Sequence, residues 1–164
     1  MRRLALVWLA SGLLACSGGK TPAQPPGGEM ELGLQAFHAG RFDEAIDHYL
    51  KAIEEKKNSG PLEQAQLWNL MGMAYRFKYN TNPSNTLKEK EIAAFKKALE
   101  IQPDFLIALV NLGASYYYSG RKAEAAPYFR RALELAPQHP EAELLKKMIQ
   151  EVEASSTPVE KTTK

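Results

Sequence analysis

The sequence predicts an all-α fold: about three stacked helical repeats closed by a C-terminal capping helix. Three observations lead there. Gly33, Gly72 and Gly113 each open the same short pattern. Behind each glycine an aromatic residue, Tyr49, Phe95 or Phe129, recurs among small ones: Ala45, Ala52, Ala98, Ala125 and Ala132. Beyond Pro140, Ala142, Leu145, Met148, Ile149 and Val152 form one apolar stripe at helical spacing, with charged residues on the other side. A repeat this short cannot bury its own apolar face and must stack on a neighbour. Such a chain is a scaffold with an extended surface.

The first copy reads Leu32-Gly33, Gly40-Arg41-Phe42-Asp43-Glu44-Ala45, Tyr49, Ala52-Ile53. The second reads Trp68, Met71-Gly72, Tyr75, Phe95, Ala98-Leu99, Pro103. The third reads Leu109, Leu112-Gly113, Tyr116, Gly120, Ala125, Phe129, Ala132-Leu133, Pro137. This pattern resembles the tetratricopeptide repeat, a pair of antiparallel helices of about 34 residues. The resemblance covers roughly residues 29–139 and implies a right-handed superhelical stack of helix pairs. The first copy lacks the closing proline, and the second puts Glu91 where alanine is usual. The interval from Ala98 to Ala132 is 34 residues, whereas Gly33 to Gly72 is 39 and Gly72 to Gly113 is 41. The longer intervals locate insertions at Asn58-Ser59-Gly60-Pro61 and at 80–86.

Seven helices are expected. The first runs from Glu29 to His38 and the second from Phe42 to Lys57. Gly40 supplies the turn between them and Gly120 the turn between the fifth and sixth, where a positive φ favours glycine. The third starts at Pro61, a favourable first-turn position, and runs to Tyr79. Thr86-Leu87-Lys88-Glu89 reads as a capping box for the fourth, which ends near Gln102 before Pro103. Asp104 is expected to cap the fifth, which ends near Ser119. The sixth spans Lys122 to Leu135, beginning late enough to place Pro127 near its first turn. The seventh spans Pro140 to Val152.

The flanks carry a different signal. Arg2 and Arg3 precede an apolar run from Leu4 to Leu14, too short to span a membrane stably. The run ends in Leu13-Leu14-Ala15-Cys16, which resembles the lipobox of bacterial lipoproteins. That resemblance implies a signal peptide over 1–15 and lipidation of Cys16, the only cysteine in the chain. Acyl chains on Cys16 would anchor the protein stably to a membrane. Residues 16–28 read as a flexible Gly/Pro tether, 29–153 as the repeat domain and 154–164 as a disordered tail. Ser17 follows the cysteine, without the aspartate associated with inner-membrane retention in enteric bacteria. The expected location is therefore the bacterial cell envelope, on the outer membrane facing the periplasm.

Composition narrows the function. The chain has 21 basic and 19 acidic residues, and loss of Arg2 and Arg3 leaves the two signs balanced. A net charge near zero argues against nucleic-acid binding and against a polybasic membrane patch. His38, His48 and His139 have no metal-ligand spacing, and no nucleophile-elbow, P-loop or zinc-protease pattern occurs. The expectation is a non-enzyme with no metal and no cofactor.

In tetratricopeptide folds the first helix of each pair lines the concave face. Carried over, the candidate partner-binding residues are Leu34, Phe37 and His38 in the first repeat. In the second they are Gln66, Asn69, Met73, Arg76 and Phe77, and in the third Ile107, Val110, Asn111, Ala114, Tyr117 and Tyr118. The sets 69, 73, 76 and 110, 114, 117 each fall on one helical face. This face is apolar and aromatic with one cation, Arg76. The family's clamp of Lys, Arg and Asn for a C-terminal carboxylate is matched only at Asn111. The expected partner is an apolar or aromatic protein segment. The resulting function is a membrane-anchored adaptor or assembly factor for an envelope complex, such as secretin and pilus, barrel or peptidoglycan machinery. The alternative is a structural lipoprotein that self-associates, for example as a homodimer.

Overall fold

The computed structural model describes residues 28–156; the expected signal segment, Cys16, the expected tether to 27 and the expected tail from 157 lie outside the described residues. Seven α-helices follow in order: α1 (Glu29–His38), α2 (Phe42–Glu55), α3 (Pro61–Thr81), α4 (Asn85–Ile101), α5 (Leu106–Tyr118), α6 (Lys122–Leu135) and α7 (Ala142–Ser156). Each packs on the next along the chain. The described residues therefore form three helix pairs and a capping helix, as the repeat pattern predicts.

The recurring glycines explain how each pair closes. A methyl group built on Gly33 would lie 2.6 Å from Tyr49 Cδ1, on Gly72 2.7 Å from Phe95 Cδ1, and on Gly113 2.6 Å from Phe129 Cδ1. Non-bonded carbons settle at about 3.5–4.0 Å. Each ring is fully buried, with Ala45, Ala52, Ala98, Ala125 and Ala132 completing the seams. Gly40 and Gly120 take φ of 73° and 83° at the α1–α2 and α5–α6 turns, as expected.

Several boundaries differ from expectation. Ser84, not Thr86, caps α4: its hydroxyl accepts from the Leu87 backbone N–H at 3.2 Å. Phe105, not Asp104, occupies the cap position of α5, and the Asp104 carboxylate is held by Arg131 at 2.7 Å. Helix α7 starts at Ala142 rather than Pro140 and continues to Ser156, so residues 154–156 of the expected tail are helical. Pro127 sits in the second turn of α6, past the first turn where it was expected, with its ring exposed.

The stretch 80–86 also differs. Helix α3 runs through Thr81 and α4 begins at Asn85, so most of this insertion lengthens the two helices instead of forming a loop. At 21 and 17 residues, α3 and α4 outreach α5 and α6 at 13 and 14. The second pair therefore stands taller than the third.

Candidate functional site

Glu91 decides the geometry of the inner face. It lies four residues before Phe95, as Ala45 lies four before Tyr49 and Ala125 four before Phe129. All three positions are fully buried. Two repeats place a methyl group there, and the middle one places a carboxylate. A buried carboxylate demands a partner, and Arg76, one turn beyond Gly72 on α3, is that partner. Its Nε donates to Glu91 Oε1 at 2.8 Å. Lys88 Nζ donates to Glu91 Oε2 at 2.6 Å. Ser115 Oγ donates to Glu91 Oε1 at 2.6 Å from α5.

The network extends along the inner face. Arg76 Nη1 donates to Asn111 Oδ1 at 2.8 Å, and Nη2 reaches the Asn111 carbonyl at 2.7 Å and Ser115 Oγ at 2.9 Å. Asn111 Nδ2 donates to Asn69 Oδ1 at 3.0 Å. The guanidinium also lies over the Phe95 ring, 4.9 Å from its centroid. Three helices are thus joined by one polar chain from Asn69 to Glu91. The sequence analysis made Arg76 the one cation of the binding face; in the structure the same guanidinium also ties α3 to α4 and α5. The departure of Glu91 from alanine was the signal. On the buried face of a helix, a carboxylate implies a cation within reach.

The other expected residues separate into groups. Leu34, Gln66, Asn69 and Ile107 meet around an open concavity of about 290 Å³ that also includes Met30, Leu70 and Phe105. This concavity spans α1, α3 and the start of α5, confirming that these helices share a face. Ile107 is 56% exposed, and Asn69 is buried with its amide nitrogen reaching only Met73 Sδ at 3.9 Å. The sequence reading missed Met30, Leu70 and Phe105; Phe105 precedes its helix, Met30 lies one helical turn before Leu34, and Leu70 is next to Asn69.

Phe37, His38 and Phe77 join Phe42 in an aromatic cluster, with Phe37 and Phe77 ring centroids 5.1 Å apart. Phe37 also packs on the core around Tyr49. Met73 and Val110, both partly buried, pack against the core around Phe129. Tyr117 is tied to the cap: its hydroxyl donates to Glu151 of α7, and Lys122 Nζ lies 4.6 Å from its ring centroid. Hydrogen bonding to that carboxylate raises the Tyr117 phenol above its ordinary value and lowers the Glu151 carboxyl. Ala114 and Tyr118 line a second cavity of about 270 Å³, with Arg76, Tyr79, Asn80, Lys88, Glu91 and Ser115. Tyr118 is 73% exposed.

Among the described residues no three His, Cys, Asp or Glu side chains gather to hold a metal ion, and no helix is long and apolar enough to cross a membrane.

The tetratricopeptide repeat family model matches residues 107–139, the third helix pair. The photosystem I assembly protein Ycf3 of Rippkaea orientalis is 26% identical over 119 residues, 64% of this chain and 64% of that protein. The peroxisomal targeting signal receptor of Candida albicans is 31% identical over 107 residues, 65% of this chain but 16% of that one. The chain thus spans less than two thirds of either relative. Among solved structures, the Arabidopsis OM64 TPR domain superposes with a TM-score of 0.60 at 23% identity, covering 75% of this chain and 92% of the domain. The first TPR of Spaghetti (RPAP3), bound to an HSP90 peptide, gives 0.62 at 24% identity over 76% of this chain and 90% of that domain. The fold is a tetratricopeptide solenoid, and residues 107–139 carry the family's repeat.

Proposed function

We propose that this protein is an adaptor or assembly factor of the bacterial cell envelope, anchored through a lipid on Cys16, that holds a protein partner on its inner face. The observation that carries the reading is the apolar concavity shared by α1, α3 and α5, with Ile107 more than half exposed at its edge. Its lining suits an apolar or aromatic side chain, with Gln66 and Asn69 offering amides to a partner backbone. Three facts support a binding role. One relative is named as an assembly protein, another as a targeting-signal receptor, and a solved neighbour is bound to a peptide. The lipobox-like Leu13-Leu14-Ala15-Cys16 supports the anchor, and the missing aspartate at position 17 supports the outer membrane.

A photo-crosslinking residue placed at Ile107 tests this in living cells, with the same residue at Leu144 as control. Leu144 is exposed on α7, away from the concavity. Capture of an envelope protein from position 107 alone, dependent on Cys16, supports the anchored adaptor. Capture of a second copy of the chain shifts the reading to self-association. Equal yields from both positions sink the assignment of the face.

A further inference from the structure

The second cavity lies on the other side of the Arg76–Glu91 network from the glycine seam. Its walls come from the adjoining ends of α3 and α4: Tyr79 and Asn80 near the end of α3, and Lys88 near the start of α4. The end of α5 closes the third side through Ser115 and Tyr118.

Its charge is unbalanced. Arg76 and Lys88 line it as cations, and Glu91 is the one anion beside them. The Glu91 carboxylate is saturated: Oε1 accepts from Arg76 and Ser115, and Oε2 from Lys88. The cations are not. An ammonium has three N–H donors, and Lys88 uses one on Glu91, its remaining contact being the Tyr79 ring with the centroid 4.2 Å away. A guanidinium has five donors, and Arg76 uses four within the protein. The Lys88 side chain is 15% exposed and that of Arg76 24%, so both are largely withdrawn from water with one counter-charge between them. An incoming oxyanion would restore neutrality and take the unused donors as charge-assisted hydrogen bonds.

We infer that this cavity binds a carboxylate, between the lengthened α3–α4 pair and the end of α5. The site is separate from the apolar concavity at the opposite ends of α3 and α5. Where the carboxylate belongs to a protein partner, this inference rests on the adaptor reading and adds an acidic group at the far end of the face from the apolar anchor. The carboxylate is an acidic side chain of that partner or a free small carboxylate, and the test separates the two.

The ¹⁵N-labelled full-length chain in detergent micelles is titrated with sodium acetate and with acetyl-glutamate amide, using sodium chloride at equal ionic strength as reference. The expected result is a saturable shift of the Arg76 Nε–H and Asn80 side-chain resonances with the carboxylates and not with chloride. Lys88→Gln weakens this binding about tenfold, the scale of losing one charge-assisted contact. Because Lys88 also supports Glu91, Asn80→Asp is the second variant. It places a negative charge on an exposed wall residue and abolishes the saturable shift while thermal unfolding is unchanged. Tighter binding of acetyl-glutamate amide than of acetate assigns the site to a protein side chain; equal binding assigns it to a free carboxylate. Shifts that follow ionic strength alone, or survive Asn80→Asp at full amplitude, overturn the inference. Failed crosslinking at Ile107 with intact carboxylate binding would count against the adaptor reading and leave this site standing.

Discussion

The second and third helix pairs solve one packing problem with different chemistry. Both seat a ring on a glycine, Phe95 on Gly72 and Phe129 on Gly113. Four residues before the ring, the third pair buries the methyl of Ala125 and the second buries the carboxylate of Glu91. The third seam is held by dispersion and water exclusion, which tolerate small shifts. The second is held by ionic hydrogen bonds that reach across to Asn111 and Ser115 of α5. A buried ion pair gains little net stability over an apolar replacement but is costly to break. The second pair is thus fixed in register against the third by a contact that fails abruptly.

That difference can be broken directly. Arg76→Met should destabilise the protein by about 3–5 kcal/mol, because Glu91 keeps only Lys88 and Ser115 as partners. Chemical denaturation followed by circular dichroism would show it, and a loss under about 1 kcal/mol would mean that Arg76 is not the tie. The glycine seams test what the pairs share. Gly72→Ala and Gly113→Ala should each cost about 1–3 kcal/mol from overpacking against a buried ring. Matched losses fit a common seam, and a much smaller loss in the second pair would show that the ionic network, not the ring, sets its spacing.

Converting one pair into the other is the sharper experiment. Glu91→Ala combined with Arg76→Met and Lys88→Met gives the second seam the chemistry of the third. Stability should return to within about 1–2 kcal/mol of wild type, as apolar replacements of buried ion pairs do. Stability near that of Arg76→Met alone would show that the network has no apolar equivalent here.

The smallest effect belongs to the first pair. Tyr49 is fully buried, its hydroxyl has no hydrogen-bond partner among the described residues, and burial pushes its pKa from 10.0 up to about 12. The unfolded chain ionises from pH 10, whereas the native phenol holds its proton until about 12. The unfolded state therefore binds fewer protons in that window, and stability falls as pH rises through it. Tyr49→Phe should change stability at pH 7 by no more than about 1 kcal/mol. It should also make the loss between pH 10 and 12 shallower, as read from thermal midpoints across that range. An unchanged alkaline slope would show that Tyr49 does not titrate as its burial implies.

Helix number and order, the glycine–ring seams and the two positive-φ turns were legible in the sequence. They depend on residues near one another in the chain and on periodicities that a helix imposes. Helix caps were less so. Ser84 and Thr86 are both plausible caps by type, and Asp104 is held by Arg131, a residue distant in sequence.

The candidate site divides along the same line. Sequence alone determined that α1, α3 and α5 would share a face, because a repeat fixes which helix of each pair turns inward. It placed Leu34, Gln66, Asn69 and Ile107 there, and the structure brings all four to one concavity. Only the tertiary structure decided what the remaining residues meet. Arg76 was claimed by Glu91 and Asn111, Tyr117 by Glu151, and Met73 and Val110 by the core around Phe129. Helical periodicity gives the direction of a side chain from its own axis. What waits there depends on a second helix, whose distance and tilt emerge only when the whole stack packs.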